Sequence, residues 1–182
     1  MPRRIALLCC WLLAASISSA QETSAPLRFS GTVSAPLNAK QMLLHVMQAW
    51  RFTFGAEPGA RMELDTATGT MHGSARFNFR SSGLNGREET MGPIAYRVRI
   101  VVRNGECQWI VEDLRHTGNR GAPKGGGDLG LLTTQESAPR RIPGMSSPST
   151  SSVWKDAKAQ VTDRIRAVGM AFEARMRGAV EP

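Results

Sequence analysis

The chain has 182 residues and carries 23 Lys and Arg against 15 Asp and Glu, a net charge of +8. That length suits a single domain able to bury a sizeable core. With only 3 cysteines, it cannot be a disulfide-dense scaffold.

The N-terminus bears on every later count. Arg3 and Arg4 precede an apolar run from Ile5 to Ala15, and Ser18-Ser19-Ala20 supplies a small-residue cleavage pattern. Residues 1–20 are therefore expected to be a secretory signal peptide, which makes the mature chain periplasmic or secreted from Gln21 onward. The run is shorter than the ~20 residues of a spanning helix, and no later stretch reads as a transmembrane segment. Cys9 and Cys10 leave with the leader. Cys107 then stands alone, with no partner for an intramolecular disulfide or a cysteine zinc site. The leader holds two arginines and no acid, so the mature charge is +6. Such a balance suits ordinary solubility first, with an anionic partner as the alternative.

Residues 21–26 read as a short flexible leader, followed by an α+β core over 27–116. Leu27, Phe29, Gly31 and Val33 alternate as one face of a first strand, which Pro36 ends. Asn38 with Gln41 three residues on forms a capping box. Leu43, Val46, Met47, Trp50 and Phe54 then follow at helical spacing, until Gly55 and Pro58 stop the helix. Two strands joined near Ala67-Thr68-Gly69 come next. In the second, Met71, Gly73, Ala75, Phe77 and Phe79 point one way and His72, Ser74, Arg76 and Asn78 the other.

Ile94 to Val102 alternates as cleanly, and Asn104-Gly105 supplies the two-residue hairpin turn, since both positions tolerate positive φ. The turn sets the register. Arg103 faces Glu106, Val102 faces Cys107, Ile100 faces Trp109, Val98 faces Val111, and Arg97 pairs with Glu112. A slip of one residue would spoil both faces at once. Residues 117–150, rich in Gly, Pro and Ser, read as a long flexible loop. The chain closes with a helix over 151–177, whose stripe of Trp154, Ala157, Val161, Ile165, Val168, Phe172 and Met176 is expected to pack on the core. The order is β-α-β-β-β-β-α. An antiparallel sheet, both helices on its apolar face and the other face open, follows from it.

Three segments carry a family resemblance: MELDTATGTMHGSARFNF, IAYRVRIVVRNGECQWIVEDLRH, and VWKDAKAQVTDRIRAV after a glycine-rich gap. The chain resembles an exported bacterial family of domains of unknown function with a TATA-binding-protein-like (TBP-like) fold. The resemblance implies that fold and no activity.

The residues show no recognised chemistry. His45, His72 and His116 lack metal-ligand spacing, G-x-S-x-G is absent, and Gly125-Gly126-Gly127 lacks the Lys-Ser/Thr of a phosphate loop. Cys107 falls on the apolar face of its hairpin, where a thiol is inert. No catalytic residue, metal or cofactor is therefore expected. What stands out is the open sheet face, with Arg76, Arg97, Arg99, Arg103, Gln108 and Glu112 around an apolar centre of Val101 and Ile110. The expectation is a non-enzymatic exported binding domain that meets an envelope protein or an anionic surface there. Nucleic acid is not expected, because that face has no aromatic stacking platform. Two other readings remain: an enzyme with a site near His116 and the loop after it, and a binder of anionic lipid or polysaccharide.

Overall fold

The computed structural model describes residues 24–82, 88–122 and 125–178. The expected signal peptide over 1–20 lies outside the described residues. The first strand, β1 (Phe29–Ser34), leads into α1 (Ala39–Arg51) and a single 3-10 turn at Phe54–Ala56. The strands β2 (Arg61–Asp65), β3 (Thr70–Phe79), β4 (Gly92–Arg103) and β5 (Glu106–His116) follow as a meander. A two-residue β6 (Gly130–Leu131) and a long α2 (Ser147–Gly178) complete the chain.

The sheet is antiparallel throughout, in the order β1-β5-β4-β3-β2, with β6 beside β5. The Asn104-Gly105 hairpin holds the expected register, including Arg103 opposite Glu106, Ile100 opposite Trp109 and Arg97 opposite Glu112. Gly105 takes the positive φ that the turn requires. At the other hairpin, Asp65 accepts from the backbone of Ala67 and Thr68 and from the Thr68 hydroxyl, and these bonds pull its carboxyl below its ordinary pKa.

The capping box of α1 is formed in both directions. Gln41 N–H donates to Asn38 Oδ1 at 2.9 Å and Asn38 N–H donates to Gln41 Oε1 at 3.2 Å. The face that α1 buries is rotated from the expected stripe. Met42, Val46, Ala49 and Trp50 are buried, whereas Met47 is exposed and Leu43 only half-buried. Small Ala49 lets the helix approach the sheet there, which an alternation read on bulky residues alone misses. α2 follows its expected stripe, with Trp154, Ala157, Val161, Ile165, Phe172 and Met176 buried. It begins earlier than 151, at Ser147. The Ser146 hydroxyl accepts from Ser149 N–H as a cap, and Pro148 sits in the first turn, where a missing N–H is harmless.

Both helices cover one face of the sheet, and Phe54 joins them to it. Its ring stands 5.7 Å from Trp50 of α1, 6.1 Å from Trp109 of β5 and 5.8 Å from Phe172 of α2. The indoles approach this closely because glycines face them. A side chain at Gly73 would collide with Trp50, and side chains at Gly31 and Gly169 would collide with Trp109. Trp109 is also pinned by its Nε1–H, which donates to Glu173 Oε1 at 3.1 Å.

The segment after β5 adds to the core. Leu129, Leu132, Ile142 and Met145 are buried in it. Residues 25–27 run antiparallel to 132–134: Leu27 N–H donates to Leu132 O, Thr134 N–H donates to Ala25 O, and Pro26 bridges Thr133. No described helix is long and apolar enough to cross a membrane.

Candidate functional site

The face opposite the helices is built as rows of side chains across the strands. One row runs Thr32, Gln108, Val101, Thr70, Asp65 and the next Ser30, Ile110, Arg99, His72, Glu63. A third runs Glu112, Arg97, Ser74, Arg61, and a fourth Arg115, Ala95, Arg76. Arg103 and Glu106 close the hairpin end. All six residues singled out in the sequence, Arg76, Arg97, Arg99, Arg103, Gln108 and Glu112, thus stand on this face. Arg97, Arg99 and Arg103 form a spine along the central strand.

Two details differ from the sequence reading. Ile110 lies on this face but is 3% exposed, with half-buried Arg99 directly opposite it, so it offers a partner no surface. And the ion pair of Arg97 is with Asp113, not with its register neighbour Glu112. The cause is a β-bulge. Between Ala95 and Arg97 the register shifts, and Asp113 sits at φ 56°, a left-handed conformation that Asp tolerates better than most residues. The bulge swings the Asp113 carboxylate toward Arg97. It also reverses the phase of β5: residues 107, 109 and 111 are buried before it, 114 and 116 after it.

That reversal carries His116 indoors. The imidazole is 1% exposed, edge-on to Phe79, and its Nδ1 accepts from Leu129 N–H at 3.2 Å. The proton therefore sits on Nε2, which is buried with no partner among the described residues. Burial lowers its pKa to about 4, with Asp128 opposing weakly. A histidine sealed in this way presents no surface to a substrate. Cys107 is likewise fully buried, and burial pushes its thiol up to about 12. No three His, Cys, Asp or Glu side chains among the described residues are placed to hold a metal ion.

A second site has no counterpart in the sequence reading. A cavity of about 620 Å³ opens between the end of β3 and α2, lined by Glu57, Phe77, Asn78, Gln160, Asp163 and Arg164 among others. The Glu57 side chain is 3% exposed, and its Oε1 accepts from both Nε and Nη2 of Arg164, at 2.9 and 2.7 Å. Its Oε2 is buried without a partner among the described residues, as is the hydroxyl of Tyr96. Burial drives the Tyr96 pKa well above its ordinary value, the Glu57 carboxylate adds to this, and the Arg164 guanidinium opposes it. Glu57 follows the 3-10 turn in a loop between helix and strand, and nothing in the Ala56-Glu57-Pro58 stretch marks it as buried.

No family model matches the chain, and no curated protein matches its sequence. Solved structures do match. A DUF4468 family protein from Bacteroides ovatus ATCC 8483 superposes with a TM-score of 0.51 at 16% identity, covering 81% of this chain and 86% of that one. A TBP-like protein from Parabacteroides distasonis ATCC 8503 superposes with a TM-score of 0.54 at 13% identity, covering 81% of this chain and 93% of that one. The fold is TBP-like, an open antiparallel sheet with two helices, as the order of elements and the quoted segments implied. At such identities the likeness is one of architecture, and architecture leaves function open.

Proposed function

We propose that the protein is a non-enzymatic binding domain, exported behind a cleaved signal peptide, that meets a protein partner across the open face of its sheet. The observation that supports this reading is the arginine spine of Arg97, Arg99 and Arg103 on a sheet face with no helix over it among the described residues. Arginine is enriched where proteins meet, because its planar head makes directed bonds to carboxylates. The partner is read as a polypeptide surface that places Asp or Glu opposite Arg97 and Arg99. A continuous anionic surface fits less well. Arg61, Arg76, Arg97, Arg99, Arg103 and Arg115 share the face with Glu63, Asp65, Glu106, Glu112 and Asp113, so its charges nearly cancel. Interleaved signs select a complementary pattern of charge and disfavour wrong partners.

The test is in-cell crosslinking of the tagged protein beside an Arg97→Glu/Arg99→Glu variant of unchanged melting temperature. A partner whose crosslinked peptide is acidic, lost in the variant, supports the reading. Equal recovery of every captured protein by both forms refutes it.

A further inference from the structure

We infer that the depression over Ala95, beside the β-bulge of the open sheet face, is a seat for an oxyanion group, a carboxylate or a phosphate. Over the whole face the charges nearly cancel, but here they do not. Ala95 lies on the central strand between Arg76 of β3 and Arg115 of β5, its partners in one row. Neighbouring strands stand about 4.8 Å apart, so the two arginines begin roughly 10 Å from each other across a single methyl group. The gap between them, with Ser74, Arg97 and Asp113 along its side, forms a depression of about 300 Å³. That is the lower end of ligand-site sizes and suits one small group. Two of the arginines are directed by their surroundings. Arg97 is turned onto Asp113. Arg76 lies along Gly59, where a Cβ would stand 3.2 Å from its Nε and where the backbone takes a φ of 65° that favours glycine.

The charges choose the class of ligand. Arg76, Arg97 and Arg115 line the depression, and Asp113 is the one acid among its described lining residues, so three positive charges against one negative leave +2. Asp113 is already engaged by Arg97. Arg76 and Arg115 are exposed and have no carboxylate partner among the described residues. Glu112 stands opposite Arg97 in the adjoining row, outside the lining. A guanidinium donates and cannot accept, so a cation would meet repulsion and no acceptor from Arg76 or Arg115. A carboxylate or phosphate brings the paired acceptor oxygens that the planar fork matches. The inference deepens the reading of this face and rests on it for the partner that brings the group. The test uses free anions and no partner, so the two can fail separately.

The probes are inorganic phosphate and succinate, with chloride as the control, each titrated into the full chain at constant ionic strength and followed by NMR of arginine Nε–H and backbone amides. Saturable shifts are expected at Arg76, Arg115 and Ala95 with at least one of the two oxyanions, and none with chloride. Tighter binding of phosphate names a phosphate group as the natural occupant, and tighter binding of succinate names a carboxylate. Arg76→Gln/Arg115→Gln should weaken the better probe at least tenfold, whereas Arg99→Gln/Arg103→Gln, which removes the same charge elsewhere on the face, should leave it within twofold. Ala95→Leu fills the depression without altering any charge and should weaken binding several-fold, which separates a shaped seat from diffuse attraction. Absence of saturable shifts with both oxyanions, an equal response to chloride, or full affinity in Arg76→Gln/Arg115→Gln or in Ala95→Leu would overturn the inference.

Discussion

Gly169→Ala provides a direct test of how α2 is seated. In an ordinary helix interior this substitution gains about 1 kcal/mol, because alanine has the higher helix propensity. Here the new Cβ would lie 2.6 Å from both Cη2 and Cζ2 of Trp109, a distance that real Cβ atoms do not sustain. The indole has little room to retreat. On its other side a Cβ at Gly31 would stand 2.6 Å from its Nε1, and that nitrogen is bonded to Glu173. Overpacking of this kind costs about 1–3 kcal/mol. Set against the propensity gain, the expected net loss is about 1 kcal/mol, or a fall in melting temperature of about 2–4 °C for a domain of this size. Urea unfolding gives the free energy, and the same substitution in a Trp109→Phe background isolates the cause. Phenylalanine lacks the two atoms in conflict, so there Gly169→Ala should stabilise by about 1 kcal/mol. A gain in stability in the wild-type background would refute the argument, and so would an equal loss in both backgrounds.

Two further outcomes are expected. His116 has its folded pKa lowered to about 4 from the ordinary 6.5, so the unfolded chain takes up a proton that the folded one resists. Its contribution is fully present above pH 6.5 and is lost as pH falls from there toward 4, by about 3 kcal/mol in all. His116→Asn, which keeps an acceptor for Leu129 N–H, should flatten the pH dependence of the urea midpoint over that window, and an unchanged slope would contradict the assignment. Asn38→Ala removes one half of the capping box and should lower unfolding free energy by about 1 kcal/mol without altering the urea m-value.

The parts of this fold legible in the sequence are those where a local pattern and a long-range partner agree. Asn104-Gly105 sets a register that apolar pairs on one face and charged pairs on the other both reinforce, and the Cα partners follow it from Arg103 to Arg97. Beyond Arg97 the pattern stops being informative. The left-handed Asp113 leaves no mark on the alternation that precedes it, and so the burial of His116 and the true ion-pair partner of Arg97 could not be read. Segment 117–150 hid its buried residues differently. Leu129, Leu132, Ile142 and Met145 are spaced by tertiary contacts and follow neither a helical nor a strand period. The open face was visible through phase alone. The Glu57 cavity was not, because residues that line it, Glu57, Phe77 and Arg164, come from a loop, a strand and a helix far apart in sequence.

The bulge at Asp113 has a consequence for the proposed recognition by the open face. Most surface arginines are loose tethers that must be stilled when a partner arrives, at about 0.5–1.5 kcal/mol each. Arg97 has Glu112 directly across the ladder and the Asp113 carboxylate in contact with its guanidinium, yet its side chain remains 69% exposed. Such an exposed ion pair adds little to folding stability. In the binding role proposed above its value is geometric: one arm of the spine is turned toward Asp113 before any encounter, so the extra residue in β5 works as an aiming device for the strand beside it.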